Sequence, residues 1–199
     1  IDHIPAITDM RRHLVLSEGK PPKQANESLE ATLKDGNPWG YPKSDRLKWA
    51  VDAGLELPTL AEKKEVDVLY WVGCAGAYDP RNQNIAQSVV KILKAARVDF
   101  AVLGKEESCS GDSARRLGEE YLFERLVQRN ITTLGKYKFN TVITACPHCF
   151  HTLSNEYPDF GGNYNVVHHS EFIQQLLDEG RLNPEKTLAK KVTYHDACY

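Results

Sequence analysis

An α/β fold with a doubly wound, mostly parallel sheet is predicted by three features of the sequence. Short apolar runs recur from residue 67 onward, separated by stretches with helical periodicity. Four of the five cysteines fall just past such runs, where one edge of a parallel sheet gathers its sites. Residues 1–64 read differently, as a small helical segment with turn-rich punctuation. The 199 residues are 41% hydrophobic, enough for one full domain plus an appendage.

In the first segment, Ile4, Ile7, Met10 and Leu14 fall at helical spacing, and Gly19 with Pro21-Pro22 ends that helix. Ala25, Leu29 and Leu33 mark a second helix, and Gly36-Asn37-Pro38-Trp39-Gly40 is a turn cluster. Ser44 reads as the cap of a third helix carrying Leu47, Ala50 and Val51, with a charged linker over Glu62 to Glu65.

Residues 65–199 then alternate. Strands are predicted at Val68–Val72, Phe100–Leu103, Thr141–Ala145, around Val166-Val167 and at Lys191–His195. Helices are expected through Ile85, Val89, Ile92, Leu93 and Ala96, over Ser113–Leu134, and through Phe172, Ile173, Leu176 and Leu177 up to Gly180. In the second of these, Leu117, Tyr121, Leu126 and Ile131 form the expected core face, and Asn183-Pro184 would begin one more helical turn. The pattern is that of Rossmann-like βαβ units.

Composition narrows the function classes. Lys+Arg 25 against Asp+Glu 27 gives a net charge of −2, so nothing argues for nucleic acid. No stretch of eighteen apolar residues suggests a membrane span, and Ile1-Asp2-His3 does not open a signal peptide. The missing initiator Met and the stop at Cys198-Tyr199 predict a piece of something longer.

The cysteines carry the chemistry. Between Cys74 and Cys109 lie 34 residues (75 to 108), and between Cys109 and Cys146 lie 36 (110 to 145). The last pair is Cys146-Pro147-His148-Cys149, and Cys198 follows the fifth predicted strand. Three readings compete. Cys146 and Cys149 match a thioredoxin-like redox pair, but that leaves Cys74 and Cys109 unexplained. Structural zinc takes its ligands as two local knuckles, and only one is present unless His148 or His151 substitutes. Cys74, Cys109, Cys146 and Cys149 together supply four soft thiolates, the usual complement of an iron–sulfur cluster.

Cys74, Cys109-Ser110-Gly111 and Cys146-Pro147-His148-Cys149 resemble the cysteine-rich CCG domain of heterodisulfide-reductase-type iron–sulfur proteins. Tyr70–Gly76, Cys109–Arg116 and Tyr194–Tyr199 are similar to the subfamily linked to electron-transfer flavoprotein and menaquinone, and Asp9–Arg12 and Asn37–Gly40 extend the likeness to nearly the whole chain. The resemblance implies an electron relay through one cluster in a larger membrane-associated oxidoreductase, at the cytoplasmic face of the cell membrane. Its partners would be other iron–sulfur modules of the same polypeptide, electron-transfer flavoprotein and menaquinone. A ferredoxin-like module would precede this segment, and Cys198 would begin a truncated second repeat. One departure matters: the family's double cysteine is Cys109-Ser110 here. Four thiolates rather than five match a cubane [4Fe–4S] cluster that passes electrons without binding substrate.

Gly111, Arg115 and His148 are the expected tuning residues. Gly111 offers a backbone N–H to cluster sulfur, Arg115 a positive charge and His148 a place between two ligands. Arg115 and Arg116 equally suit a solvated helix face answered by Glu119 and Glu120. His168-His169 reads as a loop pair, and Trp39, Trp71 and Tyr78 as packing residues.

Overall fold

The computed structural model describes residues 3–186 and 189–193. The first part is helical: α1 (Ile4–Arg12), α2 (Lys23–Asp35), α3 (Lys48–Asp52) and α4 (Leu60–Lys63). A 3₁₀ turn over Lys43–Leu47 leads into α3. Ser44 does not cap it; its hydroxyl donates to Asp45. The expected charged linker is instead α4, closed by a capping box in which Thr59 and Glu62 satisfy each other's backbone amides.

Four parallel strands follow, β1 (Glu65–Trp71), β2 (Phe100–Ala101), β3 (Lys138–Thr144) and β4 (Val166–His168), in the order β2-β1-β3-β4. Between and after them lie α5 (Gly73–Tyr78), α6 (Pro80–Ala95), α7 (Asp112–Arg116), α8 (Glu120–Leu134), α9 (Pro147–His151) and α10 (His169–Asp178). Asp79 caps α6 by accepting from the Asn82 amide, with Pro80 at the first helical position.

Both faces of the sheet are covered, so the fold is doubly wound. Side chains alternate across a strand, and β1 splits its residues accordingly. Val68, Tyr70 and Val72 pack with Trp49 of α3, Ala77 of α5 and Val89, Val90 and Leu93 of α6. Leu69 and Trp71 pack with Phe123, Leu126 and Val127 of α8, Leu153 and Tyr157. Trp49 and Leu60 bring the first segment into both cores.

The structure corrects several expectations. The long helix over Ser113–Leu134 is two helices, broken at Gly118, whose φ is +92°. A Cβ there would lie 2.5 Å from the Arg11 carbonyl carbon, so α1 crosses directly over the break. The break resets the helical phase. Leu122, Phe123, Leu126 and Val127 therefore face the core, and Tyr121 is exposed. Val102 makes an isolated bridge to Thr59 instead of prolonging β2. No helical turn forms at Asn183-Pro184, and residues 191–193 are not strand; His195 lies outside the described residues.

Gly118→Ala meets both a positive φ and a backbone wall, so it should destabilise the fold by about 1–3 kcal/mol in a denaturant titration. Wild-type stability would mean that α1 does not seat on this break.

Candidate metal centre

Every described cysteine sits past the carboxyl end of a strand. Cys74 lies in α5, one residue beyond Gly73, whose φ is +76°. Cys109 lies in the loop after β2 and the 3₁₀ turn Gly104–Glu106. Cys146 caps α9, and Cys149 lies within it. All four are free thiols, with Cys74, Cys109 and Cys149 buried and Cys146 half-buried. Cys198 lies outside the described residues.

The thiols couple electrostatically in two pairs, Cys74 with Cys109 and Cys146 with Cys149. The pairs adjoin: Cys149 feels the charges of Cys146, Cys109 and Cys74. Gly73 lies between them, and a Cβ on it would stand 3.4 Å from Cys149 Sγ and 3.8 Å from Cys146 Cβ. Those are ordinary contact distances, so it is the φ of +76° that favours glycine here.

Each loop is held by its backbone. The Glu107 carboxylate is 1% exposed and accepts from Val72 N–H at 3.0 Å and Gly73 N–H at 2.8 Å. It also accepts from Arg46 Nη2 at 2.8 Å, and that same nitrogen lies 3.6 Å from Cys74 Sγ. The Gly36 carbonyl accepts from Cys109 N–H at 2.7 Å and from Cys74 Sγ at 3.6 Å. Asn130 Nδ2 donates to the Cys109 carbonyl and to Tyr157 Oη, each at 2.9 Å. Tyr157 Oη donates in turn to the Ser110 carbonyl at 2.9 Å. Ser110 itself is buried.

Within each pair one thiol is the readier thiolate. Cys146 is lowered by the hydrogen bond from Cys149, against burial, with help from the Cys149 and His148 amides at the helix start. Cys74 is lowered by its hydrogen bond from Cys109 and by the Arg46 charge. Cys109 and Cys149 are pushed up, first by donating those bonds and then by burial.

The expected tuning residues are placed as follows. Gly111 N–H donates to Cys109 Sγ at 3.4 Å, and its φ of +98° is a conformation a side chain resists. His148 Nδ1 lies 3.1 Å from Asp112 Oδ2. Arg115 lies 3.3 Å from both Glu120 and Glu156 and stacks over Phe123, while Arg116 pairs with Asp112 and Glu156. Glu156, from the irregular turn after α9, thus answers both arginines. Tyr78 donates to the Pro42 carbonyl, Trp71 is core, and Trp39 is half-exposed. His168 and His169 contact each other at the end of β4.

Arg46, Glu107, Asn130 and Tyr157 were missed at the level of sequence. Arg46 and Glu107 lie 61 residues apart, and neither belongs to a local motif.

Four thiols at one sheet edge, held by rigid loops around a glycine cradle, fit a thiolate-ligated cluster. Among the described residues no three His, Cys, Asp or Glu side chains gather around a point where a single metal ion would bind.

Residues 68–154 match the family model of the cysteine-rich domain, CCG. A probable membrane-anchored ferredoxin of Chromohalobacter salexigens is 47% identical over 204 residues, covering 100% of this chain and 30% of the relative. An EtfAB:quinone oxidoreductase of Syntrophomonas wolfei is 42% identical over 202 residues, covering 100% of this chain and 28% of the relative. A component of the dihydromethanophenazine:CoB–CoM heterodisulfide reductase of Methanosarcina mazei is 30% identical over 169 residues, covering 82% of this chain and 39% of that protein. The chain thus spans well under half the length of these relatives. No solved structure matches.

Tyr157→Phe removes the donor to the Ser110 carbonyl and leaves a buried acceptor unpaired. It should cost about 1–3 kcal/mol in denaturant unfolding. A neutral result would show that this loop is held without the Tyr157–Asn130 pair.

Proposed function

Starting from residues 68–154 as a cysteine-rich CCG domain, we propose that Cys74, Cys109, Cys146 and Cys149 hold one [4Fe–4S] cluster that relays electrons. The observation that carries the reading is that four free thiols follow the carboxyl ends of three neighbouring parallel strands, with Gly73, next to Cys74, set against Cys146 and Cys149. When bound, such a cluster supplies one-electron transfer. The chain's own part is to hold the sulfurs, with Cys146 and Cys74 as ready thiolates, and to bury Cys74, Cys109 and Cys149 away from water. Ser110 beside Cys109 leaves four thiolates, one per iron, so the centre passes electrons and does not bind substrate.

The name of one relative, an EtfAB:quinone oxidoreductase, supports the wider setting of an iron–sulfur oxidoreductase between electron-transfer flavoprotein and a quinone, for which we propose menaquinone. The partners are other iron–sulfur modules of the same polypeptide, with a ferredoxin-like module before this segment and a second repeat beginning at Cys198. Among the described residues no helix is long and apolar enough to cross a membrane. The reading includes association with the inner face of the cell membrane through the full-length protein, supported by the membrane-anchored relative.

A second reading has one geometric feature in its favour. Half-buried Cys146 at the start of α9, paired with Cys149, is also the arrangement of a thiol–disulfide redox motif. Turnover of an insulin or glutathione disulfide that vanishes on Cys146→Ala would establish it over the relay.

The test is anaerobic purification with iron and acid-labile sulfide analysis. Single Ala replacements of Cys74, Cys109, Cys146 and Cys149 should each lose or degrade the cluster, while Cys198→Ala spares it. The reduced wild type should give the low-temperature paramagnetic resonance of a one-electron cubane. Equal cluster content in all five variants sinks the ligand assignment, and a signal seen only on oxidation sinks the relay.

A further inference from the structure

We propose that Arg46 sets the reduction potential of this centre against Glu107, so that the segment preceding the sheet supplies its tuning residue. The inference rests on the iron–sulfur reading above. It concerns a residue outside the 68–154 match and outside every motif that the cysteines define.

Arg46 is 2% exposed, in the 3₁₀ turn before α3. One nitrogen, Nη2, serves both Glu107 and Cys74 Sγ, at 2.8 Å and 3.6 Å. The other two, Nε and Nη1, are buried with no hydrogen-bond partner. A guanidinium with spare donors beside a ligand sulfur suits a centre that gains negative charge. The Tyr78 ring lies 5.7 Å from the guanidinium carbon. Arg115, the cation singled out by the sequence, is already answered by Glu120 and Glu156.

The sign of the effect follows from charge. Reduction adds one electron at the sulfur-bound centre. A buried cation at hydrogen-bonding distance from a ligand sulfur stabilises the reduced form, and the adjacent carboxylate opposes it. Removing Arg46 leaves Glu107 as an unanswered buried anion, so the potential falls. Neutralising Glu107 leaves Arg46 unopposed, so the potential rises. Removing both charges removes a neutral pair and brings the potential back toward the wild type.

The experiment is a redox titration of the cluster-loaded chain followed by paramagnetic resonance, with iron and sulfide counted in each variant. Arg46→Gln should lower the equilibrium constant for reduction about tenfold, about 59 mV for one electron. Glu107→Gln should shift it the opposite way, the double variant should lie between them, and Arg46→Lys should retain most of the wild-type value. Opposite shifts at wild-type iron content would support tuning, since a merely structural role would lower cluster content without reversing sign. If Arg46→Gln fails to load, Arg46→Lys and Glu107→Gln still decide the question. Loaded variants with unchanged potentials, or shifted in the same direction, overturn the proposal. A wild-type chain with no iron or sulfide overturns the iron–sulfur reading instead.

Discussion

One buried carboxylate organises the sheet edge. Glu107 sits in the loop after β2, yet its oxygens take the amides that end β1 and the guanidinium of Arg46. A carboxylate that gives up water is costly unless its acceptor sites are filled by protein donors. Here two backbone amides and one cation fill them. The result ties the turn that presents Cys74 to the loop that presents Cys109. Gly73 can then hold its left-handed conformation, and the space beside Cys149 stays open.

The remaining loops follow the same logic of satisfied backbone. The Cys109-Ser110 carbonyls are taken up by Asn130 of α8 and by Tyr157, both buried in the core on that side of the sheet. Cys146 is held locally instead: Pro147 opens α9 directly after it, and its own N–H donates to Thr144 Oγ1 at 3.3 Å. Rigid secondary structure thus positions one thiol pair, and tertiary hydrogen bonds position the other. Side chains distant in sequence therefore hold Cys74 and Cys109, while Cys146 and Cys149 are held by their own helix.

Much of this was legible in the sequence, and the failures have physical reasons. The four described strands were readable because each is a short apolar run bounded by turns, and buried strands leave that trace. The Ser113–Leu134 helix was misread because apolar periodicity carries across Gly118, while the break comes from α1 crossing there, a tertiary contact. The cysteine edge was visible because strand ends are sequence-local. Arg46 and Glu107 were invisible because they meet across 61 residues, and a lone arginine beside a lone glutamate looks the same on any surface. Arg115 drew attention by standing near Cys109 in sequence, whereas its charge is directed to Glu156 and Glu120.

The Gly36 carbonyl meets both Cys74 and Cys109, and the Arg46 guanidinium lies beside Cys74. The cysteines belong to a sheet whose strands pair with one another, while Gly36 and Arg46 come from helices and turns that precede it. The boundary of the working unit is therefore wider than the run of sequence that carries the thiols: a chain trimmed to residues 68–154 keeps all four sulfurs and loses the carbonyl and the cation that stand beside them.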